Sequence, residues 1–392
     1  MLSNVPAYVF CVRGHIKMLI LLITGGGFNN ADYFKNLSRF FSCKHIEMSK
    51  VSSSDISEAE LSVVDLKGSS PTSLKHLRAV TSADKGAKIV CPLTKGDRWE
   101  MVQSGTLGQV KHFDRAKGFK ALVLTIREFI GKPDCDLERL QNSSKEVQQA
   151  FHKSTALLDD LPFAATEDGA ISVALMKQSA SALTGVMQEE GISAWLGAVE
   201  CHHSHTFRHS LYVAGLVTSF AQHLGWSSEH QTMIAAGGLL HDIGKTKIPL
   251  AILDKPGALT DEEFDTIKKH RLFGEEILQR ANNIPNEIKR MAVCHHEYID
   301  GSGYPYGLSG DQLGPTVRVM TICDIFAAMT EERSYKSPMS PRVAFANLID
   351  MGGKLDQSLV KKFKDIVMDL HSSQPNRSAA VKRSPLKQAK AS

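Results

Sequence analysis

The chain lacks the marks of several protein classes. It has no Cys-x-x-Cys pair, and its seven cysteines stand apart at positions 11, 43, 91, 135, 201, 294 and 323. An odd, scattered set argues against a disulfide framework and fits a reducing, cytoplasmic setting. Cys294 and Cys323 sit beside candidate ligands but read as small buried hydrophobes. The densest apolar run near the start, Met18 to Ile23, falls far short of the roughly 20 residues that a membrane span needs. It is also shorter than a signal-peptide core, so no membrane partner is expected. Gly25, Gly26 and Gly27 follow it without forming GxGxxG, which argues against a dinucleotide loop there. Excess charge is small, +4 in net terms, and five basic residues without an acid lie between Ser372 and Ser392. The body is therefore close to neutral, and no nucleic-acid polymer is expected as a partner. The tail, poor in apolar residues, reads as disordered.

What is present is ordinary globular composition, 42% hydrophobic and 22% charged over 392 residues, a length that suits two domains. Residues 1–17 carry little pattern and stay unassigned; Met18 is a candidate start. Over 18–118, apolar runs alternate with amphipathic ones. Met18 to Ile23, Leu61 to Leu66 and Lys88 to Leu93 read as strands; Asp32 to Phe41 and Ser73 to Val80 read as helices. This alternation predicts a parallel α/β domain. Residues 119–188 read as a helical linker region, with a break at Asp159-Asp160-Leu161-Pro162, and 189–371 as an all-α domain.

The helical half concentrates the chemistry. His209 shares a helical stripe with Val213, Leu216, Val217 and Phe220. His241 follows Gly237-Gly238, small enough for close helix packing. His270 shares a face with Ile267, Gly274 and Ile277; His295 shares one with Ile288, Met291 and Ala292. Asp324 shares one with Val317, Met320 and Ala328. Any one of these alone reads as a satisfied core residue. Together with Asp242 and His296 they make five buried imidazoles and two carboxylates, which are costly unless paired or metal-bound. Nitrogen and carboxylate ligands without thiolate suit iron, manganese or nickel, with zinc less favoured. Adjacent His241-Asp242 lets one carboxylate bridge two ions roughly 3.5–4 Å apart, an arrangement that hydrolyses phosphoesters.

The ordered segments HTFRHSLYVAG, LLHDIGK, KKHRLFGEEIL and HHEYIDGSGYP, with the stretch from Asp324 to Lys336, resemble the HD-GYP family of bacterial cyclic dinucleotide phosphodiesterases. The resemblance covers roughly His202 to Met368. It implies a helical catalytic domain that cleaves cyclic di-GMP or 3′3′-cyclic GMP-AMP, with His209, His241, Asp242, His270, His295, His296 and Asp324 as metal ligands. It further implies that Lys245 contacts the scissile phosphate and that Arg333 and Lys336 hold substrate phosphates. Gly303, Tyr304 and Pro305 would shape the substrate loop. Trinuclear members have a glutamate where His205 stands, so two ions are expected here, with His205 as the alternative ligand for a third. Many members have an acid where Ala327 stands, which leaves the mixed messenger open as substrate.

The stretch Ser62 to Arg78 resembles the third strand and helix of response-regulator receiver domains, with Asp65 at the phosphoacceptor position and Thr94 at the switch hydroxyl. The acidic pair expected after the first strand is replaced by Thr24-Gly25-Gly26-Gly27, and the Lys-Pro by Arg115-Ala116. The resemblance therefore implies a degenerate, pseudo-receiver domain used for protein docking or self-association. The competing readings are a binding-only signalling module, for cyclic dinucleotide or a cyclase partner, and a nucleotide phosphatase of the wider HD superfamily. The complete ligand series weighs against the first, and the Gly303-Tyr304-Pro305 loop against the second.

Overall fold

The computed structural model describes residues 19–25, 36–84, 86–131, 135–166, 169–202, 204–253, 255, 257–281, 283–331 and 337–372. The N-terminal extension, the first four residues of the helix expected over Asp32 to Phe41, the tail beyond Ser372, and Arg333 and Lys336 lie outside the described residues.

The first unit is a five-stranded parallel sheet: β1 (Leu19–Thr24), β2 (Ser42–Glu47), β3 (Leu61–Asp65), β4 (Ile89–Leu93) and β5 (Val110–Asp114), in the order β2-β1-β3-β4-β5. The inner strands are apolar throughout because both faces are covered. Their two-residue period sends Leu21, Ile23, Val64 and Cys91 to one core and Ile20, Leu22, Val63 and Val90 to the other. The edge strand β2 was not anticipated. Its sequence, Ser-Cys-Lys-His-Ile-Glu, is half exposed and has no apolar run to find.

In this strand order the crevice beyond the carboxyl ends opens between β1 and β3. Here it is filled. A Cβ on Gly25 would lie 2.4 Å from Ser69, so the loop after β3 packs directly onto the end of β1. Arg115, following β5, binds Asp65 with a two-pronged contact: Nη2 donates to Oδ1 at 2.5 Å and Nη1 to Oδ2 at 3.2 Å. Glu100 stands 3.5 Å from the same guanidinium. Burial opposes the charge on Arg115, but the two carboxylates hold its pKa above the usual value.

Two expectations about the middle of the chain need correction. Helix Gly118–Ile130 is part of the α/β unit and not a linker, because Leu122, Val123, Ile126 and Ile130 pack on the sheet. The helices Lys145–Ala164 and Val173–Glu189 bury Phe151, Leu157, Leu161 and Leu183 in the same core as the later helices. Nor does the chain break at Asp159-Asp160-Leu161-Pro162. Pro162 lies in the last turn of Lys145–Ala164, where a lost N–H costs the helix one bond near its end. The two aspartates instead tie that helix to the sheet unit: Arg127 Nη1 donates to Asp159 at 2.9 Å, and Lys120 pairs with Asp160. Phe40, Phe119 and Phe163 cluster over this seam.

Most of the remaining helices share one contiguous core, and Ile248, Leu253 and Ile267 form a small separate cluster. Trp195, fully buried, donates from Nε1 to the Leu211 carbonyl at 2.9 Å. Gly215 is obligatory beneath it, since a Cβ there would approach the indole to 2.5 Å. Gly238 packs against Ala214 with 2.6 Å left for a Cβ, which seats helix Ser228–Leu240 on helix His205–His223. That close approach, anticipated from Gly237-Gly238, sets the helix ends that carry His241 and Asp242. No described helix is long and apolar enough to cross a membrane.

Candidate metal centre

Five helices deliver the cluster. His209 comes from the second turn of His205–His223, which Ser204 caps by accepting from the Phe207 N–H at 3.5 Å. His241 is the C-cap of Ser228–Leu240, and Asp242 opens the 3-10 turn Ile243–Lys247 that carries Lys245. His270 begins helix His270–Arg280. His295 is the C-cap of Asn286–Cys294, with His296 next to it. Asp324 sits within Pro315–Thr330. Gly244 makes the junction: a Cβ there would fall 1.6 Å from the His270 carbonyl oxygen, so only glycine lets the HDIGK turn lie on the start of that helix.

The structure brings all seven expected ligands into three overlapping groups: His209, His241 and Asp324; His241, Asp242 and His295; and His270, His295 and His296. All but His296, which is partly exposed, are buried. The hydrogen bonds fix which nitrogen faces inward. His241 Nδ1 donates to the Gly238 carbonyl at 2.8 Å, His270 Nδ1 to Ile267 at 2.7 Å, and His295 Nδ1 to Ala292 at 3.0 Å. With the proton on Nδ1, each Nε2 presents a lone pair to the centre.

Those lone pairs meet other acceptors. His241 Nε2 is buried 3.2 Å from Asp242 Oδ2 yet makes no hydrogen bond. His270 Nε2 stands 3.4 Å from Asp242 Oδ1 and 3.5 Å from His295 Nε2. Protonation is not the remedy. Burial, then repulsion from His241, pushes His295 down to about 4; burial likewise holds His270 and His296 well below the usual imidazole value. Acceptors converging at these distances with no proton between them fit a cation. His209 differs. Its Nδ1 bonds Glu331 at 2.7 Å and its Nε2 bonds Asp324 at 3.0 Å. Burial disfavours its charge, but the two carboxylates prevail and raise it to about 9. In the metal-free protein a proton on Nε2 thus takes the place of a positive ion.

The carboxylates are held ionised. Burial opposes this for Asp242, but Lys245 and His241 carry its pKa well below the ordinary range. Asp324 is lowered by His209, also against burial. Lys245 Nζ donates to Asp242 Oδ2 at 2.5 Å. His205 belongs to none of the three groups; Arg208 Nη2 lies 2.8 Å from its Nδ1.

The Gly303-Tyr304-Pro305 loop closes over His296. The Tyr304 ring stacks on that imidazole, with centroids 5.1 Å apart and 8° between planes. The Arg271 guanidinium lies 3.4 Å from the Tyr304 ring centre, and its Nη1 donates to the Tyr304 carbonyl at 3.1 Å. Gly303 is required by space, since a Cβ would come within 2.3 Å of the Tyr298 nitrogen. Glu297, buried, accepts from the Tyr306 N–H at 2.6 Å and the Leu308 N–H at 3.2 Å. Arg271, Glu297 and Glu331 received no role from the sequence. Only Glu297 carried a local signal, its place directly after the paired histidines.

Residues 196–359 match the family model described as HD domain. A cyclic di-GMP phosphodiesterase of Thermotoga maritima is 40% identical over 151 residues, which is 38% of this chain and 41% of the relative. A cyclic di-GMP phosphodiesterase of Pseudomonas aeruginosa is 33% identical over 159 residues, 41% of this chain and 38% of the relative. A 3′3′-cGAMP-specific phosphodiesterase of Vibrio cholerae is 36% identical over 148 residues, 38% of this chain and 32% of the relative. The matches thus span about two fifths of these relatives' lengths or less.

Proposed function

We propose that this chain, whose residues 196–359 form an HD domain with an HD-GYP loop, is a metal-dependent phosphodiesterase that hydrolyses a bacterial cyclic dinucleotide to the linear dinucleotide. One observation carries the reading: the Nε2 atoms of His241, His270 and His295 face inward and, with the carboxylates of Asp242 and Asp324, fall into three adjoining ligand groups. The relatives named for cyclic di-GMP and for 3′3′-cGAMP support both messengers as substrates.

His209, His241, Asp242, His270, His295, His296 and Asp324 would hold two divalent transition-metal ions, iron, manganese or nickel. Bound there, the ions would polarise a phosphoryl oxygen and lower the pKa of water. The protein's own groups do the remaining work. Lys245 places a fixed positive charge beside Asp242, where negative charge grows on the phosphoryl group during attack. Gly303, Tyr304 and Pro305 would form the substrate wall, with the Tyr304 ring held between His296 and the Arg271 guanidinium. Arg333 and Lys336, nine and twelve residues after Asp324 in sequence, are assigned to the substrate phosphates on the strength of the family resemblance.

The α/β unit is assigned a docking or self-association role as a pseudo-receiver; its strand order and the capture of Asp65 by Arg115 support this. The reading places residues 18–131 in that unit and the helices from Leu137 onward with the catalytic domain, in a cytoplasmic protein. The test is product analysis by liquid chromatography. Protein loaded with Mn²⁺ or Fe²⁺ is incubated separately with cyclic di-GMP, 3′3′-cGAMP and cyclic di-AMP. Linear product from either of the first two sustains the proposal; metal-loaded protein that cleaves none of the three defeats it.

A further inference from the structure

A single cavity of about 190 Å³ is lined both by Asp242 and Lys245 and by residues of the α/β unit, among them Arg39 and Arg127. That volume is below the roughly 300–1,000 Å³ of a pocket for a whole small molecule, so it takes part of a ligand and not all of it. The two arginines differ. Arg127 is committed to Asp159 at 2.9 Å. Arg39 has no ion pair and no side-chain hydrogen bond among the described residues, although it is partly buried and desolvation lowers its pKa. A guanidinium removed from water without an anion is costly, and its planar fork matches a phosphate.

The backbone around Arg39 is anchored. Leu37 and Phe41 are buried in the sheet core on either side, and Phe40 packs on Phe163 with ring centres 4.6 Å apart. The side chain is thereby presented to the cavity by a fixed turn. A cyclic dinucleotide carries two phosphates, and only one reacts at a time.

We propose that Arg39 binds the non-reacting phosphate of the substrate, so that the α/β unit completes the substrate site of the helical domain. The inference rests on the phosphodiesterase reading above. It makes the N-terminal unit a determinant of substrate size: a diester with one phosphate has no group to offer Arg39.

The full chain, loaded with Mn²⁺, is assayed with cyclic di-GMP, with 3′3′-cGAMP and with bis(p-nitrophenyl) phosphate, which has a single phosphate. Arg39→Gln is expected to raise KM for the cyclic dinucleotide about tenfold, with a smaller change in kcat and in the KM of the one-phosphate diester. Arg39→Lys is expected to recover part of the loss. The ratio of the two KM values is the readout, because a folding defect moves both together. An unchanged ratio in Arg39→Gln overturns the proposal. Should the wild-type protein cleave neither cyclic dinucleotide, the phosphodiesterase reading fails on its own. Arg39 is then judged by calorimetric titration of metal-free protein with inorganic pyrophosphate: weaker binding by Arg39→Gln sustains an anion site, and equal binding removes it.

Discussion

Two carboxylate sites lie in this chain, and their neighbours make them opposites. Asp65 at the end of β3 faces a guanidinium that satisfies both its oxygens. Asp242 and Asp324 face imidazoles that, His209 apart, turn lone pairs toward them. The first site holds its countercharge within the protein. The second has one such cation, Lys245 on Asp242, and gathers beyond it lone-pair density that only a proton or a metal ion relieves. An acid's identity therefore says little about its use; the protonation state of what surrounds it decides.

The sharpest way to break the contrast is to remove the bridging pair. His241→Ala with Asp242→Ala is expected to lower turnover at least about 10³-fold, since the ligands and the ions they hold act as one unit. Far-ultraviolet circular dichroism should stay helical. Retention of activity would dissolve the distinction between the sites. Next in size is Gly244→Ala. With 1.6 Å between the new Cβ and the His270 carbonyl, it should destabilise the fold by about 3 kcal/mol or more, read by urea unfolding. The matching change at Gly25, where a Cβ meets Ser69 at 2.4 Å, tests whether the α/β crevice is packed as tightly.

Proton linkage sharpens the comparison further. His295 falls from the usual 6.5 to about 4, so the unfolded chain takes up a proton first. Metal-free protein should lose stability as pH drops from about 6.5 toward 4, by on the order of 3 kcal/mol from this residue. His209 is raised to about 9, so its contribution is complete below 6.5 and fades as pH rises through 9. Urea midpoints across pH 4–10 should therefore peak near 6.5. Saturating Mn²⁺ should flatten the alkaline limb, because the ion replaces the proton on His209. A midpoint that does not move with pH would contradict this account of the cluster. Smallest is Arg115→Ala, which breaks a partly exposed pair and should cost about 1 kcal/mol. Its informative readout is Asp65: labelling by acetyl phosphate with Mg²⁺ should be absent in wild type and appear in the variant if the arginine seals that site, and absence in both shows that it does not.

Much of the centre was legible because its ligands fall on apolar stripes, where a histidine or aspartate stands out against Leu, Val and Ile. The inner strands were legible for the same reason. Glu331 was not, since its partner His209 lies 122 residues away and nothing local marks the pairing. Arg39 was hidden by its setting, a short turn between the buried Leu37 and Phe41 that reads as core. The strand Ser42–Glu47 escaped because an edge strand, half exposed, has no need of alternating hydrophobes. The supposed linker misled for a related reason. Its helices are mixed in polarity because one side faces the sheet unit through Asp159 and Asp160, whereas the other is buried.

Glu297 has a wider meaning than its two hydrogen bonds. It follows the paired histidines directly, and its carboxylate grips the backbone on the far side of Gly303-Tyr304-Pro305. Three consecutive residues thus span the centre and the rim of the cleft, like the short arm of a lever. Any adjustment of His295 and His296 as the centre fills is transmitted to Tyr306 through a single side chain. The interior is thereby tied to the surface at Tyr306, an exposed side chain one carboxylate away from the paired histidines.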